Sequence, residues 1–173
     1  MLAYVFSHRA AGGIEIDAYE DSLRRFHRAL AEAGLSGFVA SSTFRIRGEY
    51  SDWYLLQSSA TMDGLNAAAV TGDRAGPHDA VAGMAADGVG KLYKLAAGEH
   101  SIEAGFEVRF SKPAGMKYAD LYALLQPFTA APGMGLWRRM MVLGPPPEFC
   151  LVAPSDVALP EEMRPEVFRR EPI

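Results

Sequence analysis

The sequence predicts an α+β protein made of a βαββαβ unit followed by a partial βαββ second copy. Two observations carry that prediction. The phrase Phe6-Ser7-His8-Arg9-Ala10-Ala11-Gly12 recurs one residue shorter as Phe110-Ser111-Lys112-Pro113-Ala114-Gly115, each time between a strand pattern and a helix pattern. Each copy is followed by a tyrosine with an aspartate two residues on, Tyr19 with Asp21 and Tyr118 with Asp120. Repetition of this kind signals a duplicated structural unit.

The elements follow from periodicity. Leu2 to His8 alternates like a strand and stops at Gly12-Gly13. Ile16, Tyr19, Leu23, Phe26, Leu30 and Ala33 recur at spacings of three and four, the stripe of an amphipathic helix. Asp17 and Glu20 are spaced as a capping box, and Gly34 is placed to end that helix in a left-handed conformation. Two strands, Phe38 to Arg47 and Trp53 to Ser59, are expected to flank a polar hairpin turn over Gly48-Glu49-Tyr50-Ser51-Asp52. A weaker helix through Leu65 and Val70 breaks near Thr71-Gly72-Asp73. Another starts at Pro77, where a missing N–H costs nothing. Val89 to Leu95 closes the first unit as a strand.

The second copy restarts with a strand at Phe106 to Phe110 and a helical stripe of Tyr118, Leu121, Tyr122, Leu125 and Phe128. Strands at Leu136 to Leu143 and Phe149 to Ala153 flank the stiff Gly144-Pro145-Pro146-Pro147. The expected boundaries are residues 1–97 for the first repeat, 105–155 for a truncated second repeat, and 156–173 for a proline-rich, charged C-terminal arm.

Composition narrows the function classes. Of 173 residues, 49% are apolar and 22% charged, which suits a globular chain and argues against disorder. A net charge of −4 argues against a nucleic-acid partner held by a basic face. The lone Cys150 excludes an internal disulfide framework. The N-terminus lacks a basic leader pattern, and no apolar run approaches the roughly 20 residues of a membrane helix. The expectation is cytoplasmic residence with no membrane partner.

The element order resembles the ferredoxin-like domains of the dimeric α/β-barrel superfamily, which includes antibiotic-biosynthesis monooxygenases, stress-responsive barrel proteins and chlorite-dismutase-like haem proteins. The resemblance implies antiparallel sheets with helices on one face, a barrel interior or interface on the other, and a homo-oligomer. The chain departs from fully duplicated members in its shortened second copy.

On that architecture the helix-free face is where a ligand site is expected. Alternation puts Arg45 and Arg47 opposite Phe44 and Ile46, and Glu107 and Arg109 opposite Phe106, Val108 and Phe110. Such arginines either form a solvated, salt-bridged face or hold a carboxylate or phosphate by their donor fork. In Leu136-Trp137-Arg138-Arg139-Met140 at least one arginine must share a face with large hydrophobes and needs a partner there. His8 shares a face with Tyr4 and Phe6, and its repeat counterpart is Lys112. His27 and His100 read as structural or surface residues and Cys150 as a buried, inert thiol; His78, at a helix start before Asp79, reads as a surface-loop residue, with a base or haem ligand as the alternative.

The ligand-binding set read from the sequence is therefore Arg45, Arg47, Arg109, Lys112 and Arg139 for an anionic group, with Trp53 and Trp137 as apolar walls. His8 is the candidate catalytic residue that moves a proton. The function this suggests is small-molecule binding, with cofactor-independent oxidoreductase or isomerase chemistry on an anionic or aromatic metabolite. The alternative is a non-catalytic oligomerising or protein-interaction module. Metal ligation lacks His or Cys pairs at ligand spacing. No cofactor is called for, and haem is a third option.

Overall fold

The N-terminal strand forms as β1 (Leu2–Ala10) and the striped helix as α1 (Ile16–Glu32). Tyr19, Leu23, Phe26 and Leu30 bury that stripe, and Gly34 follows at φ +60°. The computed structural model describes residues 1–71 and 75–173, Ala75 by its backbone only. The expected capping box does not form. Glu15 occupies the capping position with no side-chain cap bond, and Glu20 is turned inward to Arg45 and Tyr50.

β2 (Phe38–Ile46) and β3 (Glu49–Leu56) make an antiparallel hairpin. Its turn is shorter than expected. Arg47 and Gly48 sit at φ 47° and 80°, the pair of positive values that suits a two-residue hairpin turn. Tyr50, Ser51 and Asp52, read from the sequence as loop, are strand residues. Their polarity hides the alternation because two of them find buried partners on one face of the sheet.

After β3 come α2 (Ala60–Ala69), α3 (Ala75–Ala82) and β4 (Ala85–Gly98). Pro77 lies in the first turn of α3, and the break expected at Gly72 and Asp73 lies outside the described residues. The remaining elements are β5 (Phe106–Phe110), α4 (Tyr118–Thr129), β6 (Gly135–Arg139), β7 (Phe149–Ala153), a 3-10 turn at Glu161–Met163, β8 (Glu166–Arg169) and β9 (Glu171–Pro172). β6 is shorter than expected, since Met140 to Leu143 belong to the following loop.

The chain divides within β4 into two compact units, Met1–Gly90 with Pro172–Ile173, and Lys91–Glu171. In the first, neighbouring strands run β4, β1, β3, β2; in the second they run β8, β5, β7, β6. The second unit thus repeats the strand order of the first. Residues 156–173 are not a loose arm. β8 pairs antiparallel with β5 from Phe106 opposite Arg169 to Arg109 opposite Glu166, and supplies the closing strand that the truncated reading lacked. A four-residue strand beside Pro165 is too short to show alternation, and only pairing along the edge of β5 specifies it. What the second copy loses is its second helix, reduced to the 3-10 turn.

The second unit buries an apolar core against α4. Val108, Phe110, Leu121, Leu125, Leu136 and Phe149 are its centre. Here the alternation read from the sequence holds, with Glu107 and Arg109 on the face away from the helix.

Candidate functional site

The corresponding helix-side face of the first unit is polar. Cross-strand register brings His8 opposite Tyr50, Phe6 opposite Asp52 and Tyr4 opposite Tyr54; from β2, Arg45 stands opposite Tyr50 and Thr43 opposite Asp52. All of these face α1, because Tyr19 and Glu20 of that helix bond to them. Tyr19 Oη lies 2.6 Å from His8 Nδ1, and His8 Nε2 lies 3.1 Å from Asp52 Oδ2. Tyr54 donates to the same Oδ2 at 3.1 Å. His27 Nε2 is 3.6 Å from it, and that ring bonds Ser41 and Thr43 at 2.7 Å each.

This is a buried charge held by donors. Burial by itself raises the Asp52 carboxyl, but the contacts from His27 and His8 outweigh it and hold the group well below the usual carboxylate range. An ionised Asp52 places the His8 proton on Nε2. Nδ1 is then the acceptor, and the Tyr19 hydroxyl donates to it. Burial and the nearby Asp52 charge raise the Tyr19 phenol above its ordinary value, keeping it protonated. The result is a Tyr19–His8–Asp52 row in which the imidazole lies between a phenol and a carboxylate. Asp52 Oδ1 is buried with no partner among the described residues, so one acceptor remains open.

This row forms part of the wall of a cavity of about 690 Å³ between this face and the helices. Tyr4, Phe6, Leu23, Phe26, Leu65 and Val81 contribute apolar walls, and the volume lies in the range of small-molecule sites. Its lining carries the carboxylates Asp52, Asp63 and Asp87 and, among the described residues, no lysine or arginine. Gly88 and Gly90 let the rings of Phe6 and Tyr4 lie across β4; an added Cβ would meet Phe6 Cζ at 2.5 Å or Tyr4 Oη at 2.6 Å. Gly88→Val is therefore expected to push Phe6 into the cavity and weaken binding of any bulky ligand by about 1–3 kcal/mol, which isothermal titration calorimetry would measure.

The lining does not suit the propionates of a haem. His27 has both ring nitrogens engaged and His8 lies between Tyr19 and Asp52, whereas His78 in the lining meets Asp79 at 3.1 Å through Nδ1, with Nε2 outside that bond. The acidic lining offers the propionates no cation among the described residues.

Of the residues expected from sequence, only His8 lines this cavity. Arg45 is on the same face, not the helix-free one, and pairs with buried Glu20. Arg47 is exposed in the hairpin turn. Trp53 is buried on the opposite face, beside Val5 in register. Three others do come together, on the α4-free face of the second unit: Trp137 and Arg109 both align with Cys150, and Arg139 follows two residues after Trp137. Arg138 points the other way, bonding Glu148 at 2.8 Å and stacking on Tyr118 at 3.9 Å. Lys112 lies in the loop after β5 and donates to Met116 O at 2.6 Å. His8 and Lys112, equivalent in the repeat, thus have different surroundings.

No protein-family model and no curated protein sequence matches the chain. Solved structures do. An anthrone oxidase-like protein superposes with TM-score 0.61 at 12% identity over 99% of this chain and 91% of its own. A candidate monooxygenase from Lactobacillus acidophilus gives 0.59 at 12% identity over 99% and 93%, and a candidate chlorite dismutase 0.58 at 14% over 99% and 94%. The chain has a ferredoxin-like fold of the dimeric α/β-barrel type. On this fold the residues that sequence reasoning missed are Tyr19, Asp52 and Tyr54, with His27 and Tyr50 beside them. The signal that marks them is the polar run Tyr50-Ser51-Asp52 ahead of an aromatic strand, together with a tyrosine in the apolar stripe of α1.

Proposed function

We propose that the first unit binds a neutral, aromatic-sized organic molecule and transfers a proton to or from it, as a cofactor-independent oxidoreductase or isomerase. The Tyr19–His8–Asp52 chain buried in the cavity wall carries this reading. A carbon acid bound against Tyr19 gives its proton to the tyrosine oxygen as the tyrosine proton passes to His8 Nδ1, and Asp52 stabilises the imidazolium. A ligand hydroxyl has a waiting acceptor in Asp52 Oδ1. The enolate then takes a proton back at another atom, which is isomerisation, or passes electrons to dioxygen, which is oxidation. The acidic lining favours an uncharged ligand over the anionic one expected from the arginines. An anthrone oxidase-like protein and a candidate monooxygenase among the similar structures support the oxidative branch.

Anthrone itself is the probe. In deuterated buffer without oxygen, the protein is expected to speed deuterium exchange at its acidic methylene group, read by NMR. In air it is expected to convert anthrone and dioxygen to anthraquinone and water. Exchange at the buffer rate, with no binding by anthrone or other neutral tricyclic ketones, would sink the reading. Self-association is a second part of the proposal: Met141, Val142 and Leu143 form an exposed apolar tip, and light scattering at two concentrations tests it.

A further inference from the structure

The α4-free face of the second unit carries more positive than negative charge. Lys91, Arg109 and Arg170 all act on and around one carboxylate, Glu107, and Arg139 adds a further cation beside Lys91. Glu107 is buried and already serves Arg109 and, at 3.6 Å, Arg170. Lys91 and Arg139 are left with loop backbone. Lys91 Nζ donates to Pro147 O at 3.4 Å and Arg139 Nη1 to Gly144 O at 2.7 Å, both from the β6–β7 loop. Arg139 Nε is buried without a partner among the described residues.

Cations gathered out of water need a counter-charge. Burial, with Arg109 and Arg139 nearby, pulls the Lys91 amine down to about 8, the response of a cation among cations. Cys150 is buried in the same row, and burial raises its thiol, so it supplies no negative charge. Aromatic rings border the group: Lys91 lies 5.4 Å from the Tyr93 ring centre and Arg109 4.5 Å from that of Phe168. A cleft of about 530 Å³ touches the group at Arg109, with Pro146 and Pro147 also in its wall and Lys112, Glu162 and Glu166 further along; Lys91 and Arg139 lie outside its lining.

We propose that this face binds an oxyanion, the phosphate or carboxylate group of a small metabolite, between Lys91, Arg109 and Arg139. The two loop carbonyls hold the cations in its place, and the anion supplies the charge that Glu107 cannot. This is independent of the proton-transfer reading, since none of its residues lines the first unit's cavity.

Thermal melting in inorganic phosphate and in acetate, each against sodium chloride of equal ionic strength, tests it. A saturable rise in Tm is expected with at least one of them, and which one identifies the oxyanion. Lys91→Gln and Arg139→Gln should each abolish the rise, and Lys91→Gln should melt no lower than the parent without the anion. By NMR, the Lys91 amine should titrate higher once the anion is bound. A Tm that follows ionic strength alone, or a rise that survives both substitutions, would overturn the proposal. Should Arg139→Gln fail to fold, Lys91→Gln and the titration decide it.

Discussion

Asp52→Asn is expected to destabilise the protein by about 3–5 kcal/mol, the loss that follows when one partner of a buried charged group is removed. The substitution keeps the volume but removes the charge that gathers His8, His27 and Tyr54 within 3.1 to 3.6 Å. Its pH dependence is the more specific readout. Because the folded state depresses the Asp52 pKa, the unfolded chain binds the proton first on acidification. The stabilisation is fully present above the unfolded value of about 4 and is lost as pH falls towards the folded one. Urea denaturation of the parent should therefore lose stability steeply below pH about 4, and Asp52→Asn should show a shallower slope there. Equal slopes would mean that Asp52 is not the ionised centre of the network.

His8→Gln should lower the rate of anthrone deuterium exchange by about 10²–10⁴-fold, the usual contribution of a positioned acid or base. Affinity should change far less, because Phe6, Leu23, Phe26 and the other apolar walls remain. Tyr19→Phe should do the same while leaving the His8–Asp52 contact in place. The bell or step in the exchange rate against pH should move when Asp52 is replaced, since the carboxylate sets the tautomer of His8. A His8→Gln protein that keeps its near-UV dichroism and its full exchange rate would remove the imidazole from the mechanism.

The fold was legible in the sequence where local rules act alone. The stripe of α1, the left-handed Gly34 and the alternation of β5 each depend on spacing within one element, and each appears as expected. Misreadings concentrate where side chains serve a neighbour far along the chain. Tyr50-Ser51-Asp52 looks like a turn because its polar residues are paired across the sheet and with α1. Glu20 looks like a cap because nothing in its own helix shows that Arg45 and Tyr50 will bury it. β8 looks like a tail because its pattern is four residues long and its stability lies in pairing with β5.

Candidate sites were legible in the same uneven way. His8 was singled out because the repeat marks its strand end, whereas the residues it meets, Tyr19 and Asp52, lie 11 and 44 residues further along. Arg109, Trp137 and Arg139 were named in one set with His8, with the choice between Arg138 and Arg139 left open; the structure puts these three on one face of a different unit from His8. Alternation of residues along a strand says which side chains share a face. It does not say which face meets the helices.

By itself, the sequence determined a duplicated α+β chain, the order of its principal elements and the histidine at the end of the repeated phrase. These rest on interactions between residues close in the chain, which periodicity records. Only the tertiary structure decided that the polar face of the first unit lies under its helices and encloses a cavity. Only it showed that Asp52 joins His8 to His27, and that surplus cations collect in the second unit. Burial, tautomer and charge balance are set by groups distant in sequence, so they exist only once the strands are in register.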